Sequence, residues 1–462
     1  MTIVGFVFAC KKDKTENPPY GVDMTGTSAL ESYPQRTGNA DSGYHYLIYG
    51  DYVRSGIPYN AYIAANGTAS NNLLNRTSYS ANVPYNFNAV KAPNGVRVVS
   101  ANCLSCHAAH LNGQFILGLG NSISDFTTDQ GANIPTVDML MNLYYPSSQG
   151  NPSPEWVAYE PFRNAVVATG PNIITQKAGV NPADKLAAVL AAHRNKTDLT
   201  WSNAPSLNVP SEVIPSDVPP WWVLKKKNAM FYTAVGRGDF SRIMMASSIL
   251  TIQDSAEARE VDNEFADVLA YLFSIEPPVF PETIDANLAM EGKTLFDQRC
   301  APCHGTYGYN ESYPNLFVEI DRVGTDSLLS LSNYAYTEFV DWYNSSWFAQ
   351  EPHSAFLQAG RGYVAPPLDG IWATAPYLHN ASVPNLESLL NSSLRPKYWS
   401  RDFQNPIYEF DKVGWEYIEH NSGGSKYTYN TDLPGYSNSG HTFGDDLEET
   451  ERQAIIEYLK TI

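Results

Sequence analysis

Two pentapeptides, Cys103-Leu-Ser-Cys106-His107 and Cys300-Ala-Pro-Cys303-His304, carry the chemistry most readily read from this chain. Each has the spacing of a covalent haem c attachment site. Two thiols three residues apart can bond both vinyl groups of one porphyrin, and the adjacent imidazole then lies beneath the iron as proximal ligand. A zinc site assembled from the four thiolates, or a dithiol redox pair, also uses Cys-X-X-Cys. Neither accounts for a His directly after both pairs. Two covalently bound haem c groups are therefore the expected cofactors, attached by Cys103, Cys106, Cys300 and Cys303, with His107 and His304 as proximal ligands.

The distal sides decide what such haems do. An iron with one protein ligand is an open site, whereas a second protein ligand usually makes it an electron-transfer centre. Of the 8 methionines the last is Met290, so none follows the second motif. The distal candidates there are His353, His379, His420, His441 or a Tyr. His379 is the first choice, because the prolines of its loop, residues 366–384, hold the backbone rigid as an iron ligand demands. The alternative is a structural His that bonds the loop backbone, and His441 is the next candidate ligand. At the first haem, His110 is expected one helical turn from His107, pointing away from the opposite face of the iron. Met139, Met141, Met230, Met244 and Met245 remain possible ligands, although Met residues at helical spacing are more often core. The first haem is thus expected to keep an open or displaceable sixth position and to be the reactive one.

A second unusual stretch runs from Pro219 through Trp221, Trp222, Lys225, Phe231 and Tyr232 to Arg237 and Arg242. Large aromatics beside cations suggest a haem-pocket wall, with Arg or Lys pairing propionates and a Trp relaying electrons between haems. The plainer alternative is aromatics in a core and lysines on a solvated turn.

These residues need a scaffold. A chain of 462 residues exceeds one comfortable core, so two domains are expected, one per motif. Residues 1–20 read as a lipoprotein signal remnant and tether, and 21–91 as an irregular extension rich in Tyr, Asn, Ser and Gly. Residues 92–276 form the first haem domain and 277–462 the second, divided at the Pro-rich break Glu276-Pro-Pro-Val-Phe-Pro281. Helical periodicity marks 136–144, 183–193, 256–273, 286–298 and 447–462; in the last, Ile455, Ile456 and Leu459 share a face that can pack against the start of its domain. The expected fold is mainly α, two cytochrome c-like domains with long loops.

Composition limits partners. The formal net charge of −18 argues against nucleic acid, whose phosphates need a cationic face. It suits a basic or neutral diffusing partner, and equally plain solubility. Four of the 5 cysteines serve the haems, and the fifth, Cys10, ends the apolar run of residues 1–9. Val7-Phe8-Ala9-Cys10 looks like a bacterial lipobox, which makes Cys10 the expected lipid anchor and sole membrane attachment. The segment has half of the ~20 apolar residues that a spanning helix needs. Haem attachment of this type belongs outside the cytoplasm, so a periplasm-facing or cell-surface lipoprotein is expected.

The two Cys-X-X-Cys-His units, the Pro-Pro-Trp221-Trp222 segment, the Thr374-Ala-Pro-Tyr-Leu-His379-Asn loop and the end Gly440-His441-Thr-Phe-Gly resemble the dihaem cytochrome c peroxidase superfamily. That superfamily includes bacterial dihaem peroxidases, the dihaem enzyme that matures tryptophan tryptophylquinone, and the rubber oxygenases. The likeness covers roughly residue 92 to the C-terminus and is nearest to the rubber-oxygenase branch. It implies oxygen or peroxide chemistry at the first haem and two His ligands, His304 and His379, on the second. It places Trp221, Trp222 and Phe231 beside the haems, and a calcium ion between the domains is common in the group. Peroxidases of the group carry a Met ligand that this chain lacks after its second motif, and no Glu lies between His107 and Glu155 as a general acid-base group. The expected function is a dihaem oxidoreductase using dioxygen or hydrogen peroxide, with an unknown reducing partner or organic substrate. A cytochrome c peroxidase and a non-catalytic electron carrier are the alternatives.

Overall fold

The computed structural model describes residues 23–462, so Cys10 and its tether lie outside the described residues. Helix accounts for 38% and strand for 13%, which makes the class mixed rather than mainly α. The strands are two to five residues long and gather into six small antiparallel sheets that fasten loops together. Long loops hide such strands in a sequence, since two or three residues are too few to show alternation.

The helices anticipated from periodicity form as Ile134–Tyr144, Ala183–Ala192, Ser255–Ser274, Ala286–Arg299 and Glu449–Leu459. In Ser255–Ser274 the Asp254 carboxylate caps the first turn, accepting from the Ala256 and Glu257 amides. Its Ala258, Val261, Phe265, Val268, Leu269 and Leu272 then fall on one buried face. Ala286–Arg299 starts at Asp285, which caps the Asn287 and Leu288 amides, and delivers Cys300 at its end. The closing helix Glu449–Leu459 packs on it closely: a Cβ at Gly292 would lie 1.8 Å from the Ala454 carbonyl oxygen.

The described part of the 21–91 segment carries regular structure. It includes the helix Ala40–Tyr49, started by Asn39, and the strand Phe87–Lys91. Gly43 lets that helix sit on Ser255–Ser274, since a Cβ there would be 1.9 Å from the Asp267 carbonyl. Gly and three aromatics within ten residues obscured the helical period. Arg36 fixes the preceding segment through Asp239 at 2.8 Å and Asp262 at 2.7 Å, and Arg242 completes this buried network at 2.8 Å from Asp262.

Two main cores result, and they exchange material across the Pro-rich break. The first draws on residues 47–272 and also on Trp342, Tyr343, Trp347, Phe348, Ala355 and Leu357. The second, otherwise drawn from residues 280–459, takes in Ala109, Leu111, Leu119, Trp222 and Val223. Strand pairing repeats the exchange: Gly236–Gly238 pairs with Ala355–Leu357, and Thr27–Ala29 with Leu316–Glu319.

Candidate haem sites

The first motif is a 3-10 turn, Cys103–Ser105, capped by Asn102, whose side chain accepts from the Leu104 amide. The Asn102 amide group also donates to the Tyr85 carbonyl at 2.9 Å and to Asn88 at 2.8 Å, which fixes the turn on its neighbours. No helix follows. Ala108–Leu111 and Gln114–Leu117 form a hairpin that turns at Asn112-Gly113, both with positive φ (49° and 76°). Asn-Gly is the favoured pair for such a tight turn, and it was the missed signal. His110 is therefore an exposed strand residue opposite Phe115, not a helical neighbour of His107.

A short backbone ladder carries the Trp segment to His107. Gly118 donates to the His107 carbonyl at 2.9 Å, and Trp221 donates to the Gly118 carbonyl at 2.8 Å. Trp221 consequently stacks on the imidazole, with centroids 4.7 Å apart and planes at 19°. Burial lowers the His107 pKa to about 4, opposed by the Pro219 carbonyl, so the ring is neutral and able to ligate. Its Nδ1 is buried short of a well-formed hydrogen bond.

The second motif sits where Ala286–Arg299 ends and a single turn, Ala301–His304, begins. His304 Nδ1 lies 2.8 Å from the Pro366 carbonyl. That carbonyl can only accept, so Nδ1 carries the proton and Nε2 keeps its lone pair for a metal. Tyr307 locks the pairing: its hydroxyl donates to the His304 carbonyl at 2.9 Å and accepts from the Leu368 amide at 2.6 Å. The same logic places Pro219 by His107 and Pro366 by His304, each the first residue of a Pro-Pro pair leading into a 3-10 turn.

The imidazole facing His304 is that of His441, not His379. Their centroids are 6.2 Å apart. Two metal–imidazole bonds of about 2.1 Å and two ring radii of roughly 1.1 Å would separate the centroids by about 6.4 Å, so one iron fits between them. The His441 amide donates to the Val323 carbonyl at 2.7 Å, and Gly440, at φ 71°, lies where any Cβ would meet Gly324. Arg395 steadies the loop by donating to the carbonyls of Asn438, Gly440 and His441. Burial and the neighbouring His304 hold the His441 pKa down at about 3. Arg395 was not apparent beforehand, since only the fold brings it to residues 438–441.

His379 instead lies on a loop tied to Asp217, in the segment that leads into Pro219 and Trp221. It stacks on Tyr363 at 4.1 Å and 19°, is 6% exposed, and has a buried Nε2 without a hydrogen-bond partner. Its carbonyl accepts from the Asp217 amide at 2.7 Å. Ser216 and Asn181 exchange backbone hydrogen bonds of 2.9 Å, and the Asn181 side chain lies 3.4 Å from Cys106 Sγ. Burial lowers the His379 pKa to about 3 and raises that of Asp217 to about 7, against the opposing Tyr232 hydroxyl, which donates to Asp217 at 2.8 Å. A carboxyl group poised near neutrality thus stands two residues before Pro219. No motif announced it.

Trp221 and Trp222 divide between the sites. Trp221 joins the first core, while the fully buried Trp222 joins the second and donates from Nε1 to the Asp369 carbonyl at 2.7 Å. Gly370 makes room, since a Cβ there would come within 3.1 Å of that Nε1. Phe231, at φ 69° and 39% exposed, makes no ring contact with His107 or His304 among the described residues.

The four thiols are raised by burial, Cys103 to about 11 and Cys300 to about 12. Such thiols are protonated at neutral pH, which suits thioether attachment and not a redox dithiol. Among the described residues no group of three or more His, Cys, Asp or Glu side chains could hold a metal ion. No described helix is long and apolar enough to cross a membrane.

A thioether-ready Cys pair with a neutral His is the mark of a haem c protein. Residues 362–400 match the RoxA-like, cytochrome c-like family, a segment that contains the Tyr363–His379 stack and lies between His304 and His441. This relationship supports a haem c cofactor and oxidoreductase chemistry. The chain is also similar to two curated proteins of Sinorhizobium fredii (strain NBRC 101917 / NGR234). It is 29% identical to uncharacterized protein y4iJ over 253 residues, 41% of either chain. It is 25% identical to uncharacterized protein y4iM over 246 residues, 48% of this chain and 54% of the relative. The chain spans about half the length of these relatives, or less.

Proposed function

We propose that this is a dihaem c-type oxidoreductase in which the site at His107 activates dioxygen or hydrogen peroxide and the site at His304 transfers or stores electrons. The observation that carries the reading is the asymmetry of the two histidines: His304 faces His441 at 6.2 Å, whereas the ring stacked on His107 is Trp221. Cys103 and Cys106 would attach the first haem with His107 beneath it. Cys300 and Cys303 would attach the second, with His304 and His441 as its two ligands. When bound, the haems supply the oxygen and electron chemistry.

The chain's own part is positioning and proton handling. Trp221 and Trp222 give a two-residue aromatic bridge between the sites. Asp217 and Tyr232 can hold and pass a proton, and neutral His379 offers an unpartnered Nε2 beside them. This acid-base set lies next to the first motif, which favours hydrogen peroxide reduction as the second reading. The periplasm-facing location and the Cys10 anchor belong to the same proposal, as does an unidentified reducing partner or organic substrate.

Electron paramagnetic resonance of the resting holoprotein tests the reading. One high-spin and one low-spin haem are expected, with cyanide or carbon monoxide shifting only one set of bands. Two low-spin haems indifferent to both ligands would make the protein an electron carrier and overturn it. Turnover of hydrogen peroxide with a reduced donor, compared with dioxygen uptake, separates the two catalytic readings.

A further inference from the structure

A cleft of about 300 Å³ opens between the N-terminal segment and the sheet edge near residue 358. Arg237 lies at its floor, with Ala29, Leu30, Phe317, Gln358 and Ala359 around it. The segment that forms one wall is pinned: Thr27–Ala29 pairs with Leu316–Glu319, and the Gln35 side chain donates to the Gly238 carbonyl at 3.0 Å and accepts from the Phe240 amide at 2.9 Å. Tyr33 packs edge-on against Phe356, the cross-strand partner of Arg237, at 5.4 Å. The walls are thus held by secondary structure and packing.

Arg237 is 7% exposed, and its Nε is buried without a hydrogen-bond partner. The neighbouring arginines Arg36 and Arg242 are both paired, Arg36 with Asp239 and Asp262 and Arg242 with Asp262. The Arg237 side chain forms no ion pair, hydrogen bond or cation–aromatic contact among the described residues. The nearest carboxylate, Glu31, also lines the cleft but is engaged by the Tyr33 hydroxyl at 2.9 Å. A buried guanidinium without an anion is costly, and it offers a planar fork suited to a carboxylate. The apolar wall of Ala29, Leu30, Phe317 and Ala359 suits a hydrocarbon tail, and 300 Å³ is at the small end of ligand sites.

We infer that this cleft binds a small organic carboxylate, with Arg237 clamping the carboxylate and the apolar wall taking the chain. The inference uses none of the residues of either motif, and it assigns Arg237 to a free carboxylate in place of the haem propionate that the sequence suggested; an Arg237 already paired with a propionate would show as no hexanoate binding to the haem-loaded protein.

The test is calorimetric titration of the dihaem-loaded or as-purified protein with hexanoate, hexanamide and inorganic phosphate. Hexanoate is expected to bind once per chain, with hexanamide weaker by roughly 10- to 100-fold for want of the charge-assisted pair. Phosphate is expected to bind weakly, and equal affinity for phosphate would overturn the carboxylate assignment. Arg237→Gln should lose hexanoate binding by a similar factor, and Glu31→Gln should strengthen it. Because Arg237→Gln removes a buried side chain, Ala359→Trp provides a second variant that fills the cleft and leaves the guanidinium in place; it should also abolish binding. No binding to the unaltered protein, or unchanged binding in Ala359→Trp, refutes the site. The absorption bands report the haem sites separately and are expected to stay unchanged throughout.

Discussion

Replacing His441 by Ala should convert the second haem from six-coordinate low-spin to five-coordinate high-spin, while His379→Ala should leave it low-spin. The magnitude follows from geometry. The 6.2 Å between the His304 and His441 centroids leaves room for one metal ion and nothing larger along that line, given metal–imidazole bonds of about 2.1 Å. No other imidazole is paired with His304 among the described residues. If His107 has no protein ligand opposite it, all low-spin signal in the resting protein comes from the second haem. His441→Ala should therefore remove essentially the whole low-spin resonance. His379→Ala should retain it at full intensity and alter only oxygen or peroxide reactivity. Spin quantitation by electron paramagnetic resonance, normalised to haem content, gives the answer. Loss of the low-spin signal in His379→Ala with its retention in His441→Ala would refute the reasoning outright.

Other outcomes follow from neighbouring contacts. Trp222→Phe keeps an aromatic ring but leaves the Asp369 carbonyl without its donor, at a cost of about 1–3 kcal/mol; stopped-flow reduction should show slower electron exchange between haems with unchanged absorption bands, and an unaltered rate would remove the bridge from the mechanism. Gly292→Ala places a methyl carbon 1.8 Å from the Ala454 oxygen, where ordinary contact begins near 3.4 Å; parting the two helices should lower stability by about 3 kcal/mol, read from the denaturant midpoint. Asp217 has its folded pKa raised to about 7 by burial, so between its unfolded value near 4 and pH 7 the folded state binds the extra proton. Stability should then fall as pH rises through that window, and Asp217→Asn should flatten the dependence in denaturation measured from pH 4 to 8.

The Cys-X-X-Cys-His units stand out in the sequence because the chemistry they suggest is local: two thiols and an imidazole must be adjacent to serve one porphyrin. The long helices were legible for the same reason, through apolar periodicity within a single segment. The imidazole that faces His304 was not, because it comes from a loop 137 positions away in sequence, counted from His304 to His441, and held by Arg395, Val323 and Gly324. Loop rigidity favoured His379, and that loop is indeed firmly held, but its contacts are with Asp217 and Tyr363 and not with His304. The N-terminal helix and the hairpin after His107 were hidden in opposite ways. Aromatics and Gly43 masked the first, and the Asn112-Gly113 signal was overlooked in favour of a helix continuing from the motif. Asp217 carries no signal of its own, since its perturbation comes wholly from neighbours contributed by distant segments.

The exchange of core material has a consequence for how the protein is made. Cys103 and Cys106 emerge during synthesis more than two hundred residues before Trp342, Trp347 and Leu357, without which the first core is incomplete. A nascent chain bearing the first motif therefore stays loose while its completing pieces are still to come, and domains ordinarily fold as units. Under the proposed function, the incomplete core would leave both thiols accessible to the machinery that joins them to porphyrin once the chain is outside the cytoplasm, and closure by the later segment would then bury the product.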